Sequence, residues 1–277
     1  MKRTTLLTLA AMLFTLVGCY TNPVTGRKSL VLLSQGEEVT LGAQSFQDIR
    51  SKEKVSTDPA ANARVQRIGQ RIAQAVGDAL PNAKWEFVVF ESKDLNAFAL
   101  PGGKVGVYTG LMQLAENDSE LAIVMGHEIG HVIARHGAER MSEAMVISGV
   151  GALGAAIVEN KTQDPQTRQL FELAYGGATT IGRVLPHSRG NESEADRMGA
   201  LYAAKAGYDP RASISFWKKM VVQKQQAAKQ AGGAGGGGAL GALLSTHPPD
   251  EKRIADLQAM MPQMVPIYEQ NRGRYSD

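Results

Sequence analysis

The chain is short of three things, and each shortage removes a class of explanation. It holds a single cysteine, Cys19, so no disulfide can staple the fold. Its charge is nearly balanced, +3 over 277 residues and +1 once Lys2 and Arg3 leave with the leader described below. With no Lys/Arg run interleaved with aromatics, this balance excludes nucleic acid as a partner. Long apolar runs are also missing. Leu6–Val17 is too short to span a bilayer comfortably, and Ala144–Val158, 15 residues rich in Gly and Ala, is short for a span and reads as a buried helix. What remains, at 43% hydrophobic and 21% charged, is ample for one sizeable core.

The N-terminus reads as a targeting segment. Lys2 and Arg3 precede the apolar run, and Leu16-Val17-Gly18-Cys19 resembles a bacterial lipobox, in which the leader is cut before a cysteine that is then lipidated. Residues 1–18 are therefore expected to be a signal peptide, Cys19 a membrane anchor, residues 19–33 a tether, and residues 34–277 one domain. Tyr20, in the position after the cysteine, favours the outer membrane facing the periplasm under the usual sorting rule.

The domain reads as α+β and mostly helical. Helices are expected over Ser34–Ser51 and about Asp58–Asp78, where Val65, Ile68, Ile72 and Val76 share a face. Lys84–Phe90 alternates as a strand, and Asn96–Leu100 turns through Pro101-Gly102-Gly103 into Lys104–Tyr108, a small hairpin-bearing sheet. Asn96, Ala97, Phe98 and Ala99 form a candidate edge strand for holding an extended substrate by main-chain pairing; a wholly structural hairpin is the alternative.

His127-Glu128-Ile129-Gly130-His131 carries the chemistry. On a helix, residues four apart point the same way, so His127 and His131 can share one Zn²⁺, while Glu128 sits about 100° round, placed to reach a water as general base. Residues 117–136 read as that helix, capped by Asn117 or Asp118, anchored by Leu121, Met125, Ile129, Val132 and Ile133, and stopped by Gly137. A hydrolytic zinc needs a third protein ligand. His136, five residues beyond His131, points away on a straight helix and is expected to meet the last carbonyls. Asn191-Glu192-Ser193-Glu194-Ala195-Asp196 opens a second helix reaching about Lys205, on which Glu192 and Asp196 share a face. Glu192 is the expected third ligand and Asp196 the carboxylate that orients a ligand histidine; Glu194, on the opposite face, is expected to be a solvated charge.

Small residues recur every fourth position on both helices: Ala122, Gly126, Gly130 and Ala134 on one, Ala195, Gly199 and Ala203 on the other. An interior Gly costs a helix about 1 kcal/mol relative to Ala, so a close approach is expected, either between these helices or between helix and edge strand. Ala231–Gly241 is glycine-dense and should be a mobile loop, followed by His247-Pro248-Pro249 and a last helix from about Asp250.

These motifs resemble the gluzincin family that contains HtpX and the CAAX prenyl endopeptidases, nearest in character to its periplasmic, lipid-anchored BepA-like and LoiP-like members. Asn96–Ala99, His127–His136, Ser188-Arg189 and Thr246-His247-Pro248 fit the group, and the likeness covers roughly residues 30–260. The chain departs from it in showing neither a tetratricopeptide segment nor a set of membrane spans. The resemblance implies a zincin-like endopeptidase with one zinc on His127, His131 and Glu192, Glu128 as base, and unfolded or misassembled proteins as substrates, in contact with outer-membrane assembly machinery. It also implies that His247 either latches the open zinc position or donates to the oxyanion; Arg253, His187 and Tyr202 are further candidates for that donor. The rival reading is a periplasmic chaperone or assembly factor with a latched, weakly active site.

Overall fold

Capping chemistry sets the first elements. Ser34 and Glu37 form a reciprocal capping box at the start of α1, Gln35–Lys52, and the Asp58 carboxylate accepts from the Ala60 amide at the start of α2, Pro59–Val76. In the computed structural model of the chain, residues 19–147, 162–175, 188–230, 247 and 251–275 are described. The expected signal peptide, the glycine-rich loop and most of Ala144–Val158 lie outside them.

Three strands follow: β3, Glu86–Phe90; β4, Ala97–Leu100; and β5, Lys104–Tyr108. β5 lies centrally, parallel to β3 and antiparallel to β4, with Ala97 opposite Val107 and Leu100 opposite Lys104. The hairpin is as expected, and β4 is one of the sheet's two outer strands. Strand alternation divides the side chains between two apolar layers. Phe87, Val89, Ala97, Ala99, Val105 and Val107 join the main core with the helices, while Val88, Phe90, Phe98, Leu100 and Tyr108 pack with Phe46 and Ile49 of α1. Gly106 is required on that second face, since a Cβ there would stand 2.3 Å from the Phe98 ring.

A short helix α3, Thr109–Leu114, leads to α4, Asp118–Ile133, whose first turn is capped by the Asn117 side chain accepting from the Glu120 amide. The sequence predicts α4 running to His136 and stopping at Gly137; instead it stops at Ile133, and Arg135 takes a left-handed backbone (φ 56°) before α5, His136–Ile147. A non-glycine residue is disfavoured there. Arg135 is held by ion pairing to Glu38 and by donation to the Leu33 carbonyl at 2.6 Å, its guanidinium 5.0 Å over the Tyr20 ring. The remaining helices are α6, Pro165–Tyr175; α7, Arg189–Lys205; α8, Ala212–Gln230; and α9, Glu251–Asn271. No described helix is long and apolar enough to cross a membrane.

Residues 19–33 are more than the expected tether. β1, Cys19–Thr21, pairs antiparallel with β2, Lys28–Leu30, around a turn in which Asn22 N donates to Arg27 O and Gly26 N to Asn22 O. This ribbon lies on the domain: Tyr20 Oη donates to the Ile133 carbonyl at 2.7 Å, filling an acceptor that the end of α4 leaves open.

Candidate metal centre

The two motif helices cross in close contact, and the small-residue ridges are the reason. A Cβ on Gly126 would stand 3.0 Å from the Gly199 carbonyl oxygen, one on Gly130 3.2 Å from the Ala195 carbonyl oxygen, and one on Gly199 2.7 Å from the His127 amide nitrogen. Of the two approaches left open by the sequence, helix against helix is the one observed at these positions. It brings α7 against the face of α4 that carries the histidines.

His127, His131, Glu192 and His247 converge there, all buried, with one donor atom from each within 4.8 Å of the others. His127 Nε2 and His131 Nε2 are 3.1 Å apart; Glu192 reaches the first at 3.5 Å and the second at 3.3 Å. His247 Nδ1 lies 3.2 Å from His127 Nε2 and 3.0 Å from Glu192 Oε1. Tetrahedral ligands about 2.0–2.1 Å from a zinc ion stand roughly 3.3–3.4 Å from each other, so nitrogen and oxygen donors at these separations fit such an ion. Glu128 is set beside the cluster as expected. Its Oε1 is buried, makes no hydrogen bond among the described residues, and stands 3.5 Å from His247 Nε2. A buried carboxylate oxygen without a donor is costly, which suits a group waiting for a proton.

Asp196 backs His127. Its Oδ1 is 3.0 Å from His127 Nδ1, although too far off line for a good hydrogen bond. Asp196 is itself gripped by Arg253 of α9, Nε to Oδ2 and Nη2 to Oδ1 each at 2.7 Å, and the same guanidinium reaches Glu192 Oε2 at 2.9 Å. Arg253 lies 4.0 Å over the Trp217 ring, which also neighbours the His127 ring at 5.6 Å. Arg253 is thus placed as a clamp on two carboxylates. Tyr202, another expected oxyanion candidate, packs in the main apolar core, and His187 lies outside the described residues.

Two expectations are corrected. His136 is not at the end of the motif helix: the break at Arg135 places it at the start of α5 and turns it back, fully buried, so that its Nδ1 lies 2.8 Å from His131 Nδ1. Glu194 is not a solvated charge. It is 7% exposed, lies 2.9 Å from His136 Nε2, and accepts from Asn22 Nδ2 at 2.8 Å, from Thr25 Oγ1 and from Arg27 Nε at 2.5 Å. Helical spacing placed it correctly opposite Glu192, but the space on that side is filled by the bent-back helix and the N-terminal ribbon.

The electrostatics follow from burial and neighbours. Burial opposes a charge on His127, but the Asp196 and Glu192 carboxylates outweigh it and carry its pKa up to about 9. Burial dominates at His131, which falls well below the ordinary imidazole range, and at Glu128, which is raised. Glu192 is held well below the usual carboxylate range because His247, His127 and His131 overcome its burial. Glu194 is likewise lowered to about 2, by His136, Thr25 and Arg27 against burial.

Residues 59–261 match the profile of peptidase family M48. The chain is 28% identical over 254 residues to the beta-barrel assembly-enhancing protease of Escherichia coli, an alignment covering 91% of this chain and 49% of that protein. It is 30% identical over 244 residues to the putative beta-barrel assembly-enhancing protease of Vibrio cholerae (85% and 46%) and 28% identical over 266 residues to mitochondrial metalloendopeptidase OMA1 of Saccharomyces cerevisiae (90% and 71%). The chain therefore spans about half the length of the bacterial relatives it matches.

Proposed function

The chain belongs to peptidase family M48, and from that premise we propose that it is a zinc metalloendopeptidase that hydrolyses peptide bonds in protein quality control at the cell envelope. The observation that carries this reading is the convergence of His127, His131 and Glu192 from two helices, with the Glu128 carboxylate buried beside them and its Oε1 without a hydrogen bond among the described residues. We assign the first three as zinc ligands, one ion per chain, and Glu128 as general base. Asp196 and Arg253 hold His127 and Glu192 in place. When bound, zinc supplies Lewis acidity, polarising a carbonyl and making a bound water more acidic. Glu128 takes the proton of the attacking water and returns it to the leaving amine. β4, an outer strand of the sheet from Ala97, is the proposed seat of the substrate strand, flanked by Asn96 and carrying Phe98 and Ala99.

His247 stands among the three proposed ligands, its Nδ1 3.2 Å from His127 Nε2 and 3.0 Å from Glu192 Oε1. This favours the latch: His247 fills the fourth position and must leave before substrate enters. The same observation gives a second reading, a chaperone or assembly factor whose site is kept closed, its weight supported by the relatives named beta-barrel assembly-enhancing proteases. The proposed placement follows the same relatives together with Cys19, exposed at the head of the ribbon: lipidated there, in the periplasm, at the outer membrane and near its assembly machinery, acting on unfolded or misassembled proteins.

Glu128→Gln tests the enzyme reading, because it removes a base and no ligand. The variant should keep its zinc and lose casein hydrolysis by at least about two orders of magnitude. Near-normal turnover in the variant, or turnover in the parent that survives a chelator, would overturn it.

A further inference from the structure

The side chains around Glu194 have no part in the mechanism above, yet they end on a metal-site histidine. We infer that the N-terminal ribbon is a working part of the metal centre: Asn22, Thr25 and Arg27 fix Glu194, Glu194 fixes His136, and His136 fixes the hydrogen of His131. This rests on the reading of His131 as a zinc ligand.

Hydrogen accounting supports each link. A neutral imidazole carries one N–H and one lone pair. As a zinc ligand His131 would use Nε2, the nitrogen it turns toward Glu192 and His127, so that nitrogen keeps its lone pair and the hydrogen sits on Nδ1. Nδ1 then donates to His136 Nδ1, 2.8 Å away, which must be an acceptor. His136 therefore carries its own hydrogen on Nε2, and donates it to Glu194 Oε2 at 2.9 Å. A carboxylate can only accept, so Glu194 selects this tautomer and no other. With the other tautomer of His136, two N–H groups would face each other, and His131 would be driven to place its hydrogen on the nitrogen that zinc needs.

The ribbon keeps Glu194 in this role. Arg27 spans Glu194 and Glu139 of α5, the latter at 2.7 and 2.8 Å, and so balances the buried carboxylate without calling for a charge on His136. Asn22 and Thr25 occupy Glu194 Oε1, which leaves Oε2 to His136 and Arg27. Tyr20 adds a second grip at the carbonyl of Ile133, two residues beyond His131. Two residues separate the exposed Cys19 from Asn22, so the start of the ribbon lies close in the chain to this network.

His136, Glu194 and the three ribbon residues are positioning residues, and zinc retention by the whole chain reads their effect. Zinc affinity, measured by competition with a chromophoric chelator, should fall about 10–100-fold in His136→Leu. His136→Gln, whose side-chain oxygen can accept the same hydrogen, should recover part of the loss. Thr25→Val combined with Arg27→Met should lower affinity in the same direction by less, and this pair keeps the test open if the buried changes impair folding. Thermal unfolding of each zinc-free variant runs in parallel. A purely structural role would lower the unfolding temperature and leave Leu and Gln equally affected. Unaltered affinity in His136→Leu or in the ribbon pair, or no difference between Leu and Gln, overturns the inference while leaving the peptidase reading intact. A parent protein that binds no zinc overturns both.

Discussion

The two histidines of the centre are backed in contrasting ways. His127 leans on Asp196, which a buried arginine from the last helix holds in place. His131 leans on another imidazole, and the charge that steadies it lies one residue further away, on Glu194. The first arrangement puts a carboxylate against the ring and raises its pKa to about 9; the second puts a neutral group there, and burial takes His131 the other way. One side thus supplies negative charge to the metal site and the other supplies orientation without charge. The supports also come from opposite ends of the chain, Arg253 from α9 and Arg27 from the ribbon.

Glu192 belongs to neither side, and its loss should have the largest effect. Glu192→Ala should abolish stoichiometric zinc in the purified protein, by metal analysis, because it removes a ligand and leaves Arg253 with one carboxylate fewer. Arg253→Met comes next. It leaves Glu192 and Asp196 buried without their cation, and breaking a buried pair in this way costs about 3–5 kcal/mol, to be read from denaturant unfolding of the zinc-free protein. A loss under about 1 kcal/mol would mean that Arg253 is not the clamp on the His127 side.

Asp196→Ala and Glu194→Ala compare the two sides directly. Each should lower zinc affinity by about 10–100-fold while leaving three ligands in place. If Asp196→Ala weakens binding and Glu194→Ala does not, the support of His131 is ornamental and the symmetry proposed here fails.

The difference between the two sides is also a difference in legibility. Glu192 and Asp196 could be placed on one face from spacing alone because both lie on one uninterrupted helix, as do His127 and His131. A close approach was readable from Gly126, Gly130 and Gly199, although the sequence left open whether helix or edge strand would be the neighbour. His136 was misplaced because the reading assumed a straight helix through Arg135, and an arginine with φ 56° carries no local signal; the residues that hold it, Glu38 and Tyr20, are about a hundred positions away. The ribbon did leave a trace: Asn22-Pro23 and Thr25-Gly26 are turn dipeptides flanked by residues that could pair, although nothing in them points to Glu194. Long-range side-chain networks on opposite sides of a helix are what periodicity cannot supply.

The smallest expected effect is in proton uptake, and it separates the histidines most finely. In the zinc-free protein only His127 should titrate with a raised pKa, near 9, whereas His131 stays neutral across the working range. Zinc requires both rings neutral, so between the unperturbed imidazole value and pH 9 each ion bound should release close to one proton, and affinity should rise about tenfold per pH unit before levelling above 9. Stability runs in the opposite sense. A pKa raised on folding stabilises the protein fully below the unfolded value of 6.5, and that contribution is lost as pH rises through about 9. The zinc-free protein should therefore unfold more easily at pH 9 than at pH 6.5, while Asp196→Asn, which weakens the pull on the His127 proton, should flatten the dependence. Calorimetry in buffers of differing ionisation enthalpy counts the protons; a count at pH 7.5 that does not fall in Asp196→Asn would show that Asp196 does not hold a proton on His127, and that the two sides are not electrically distinct.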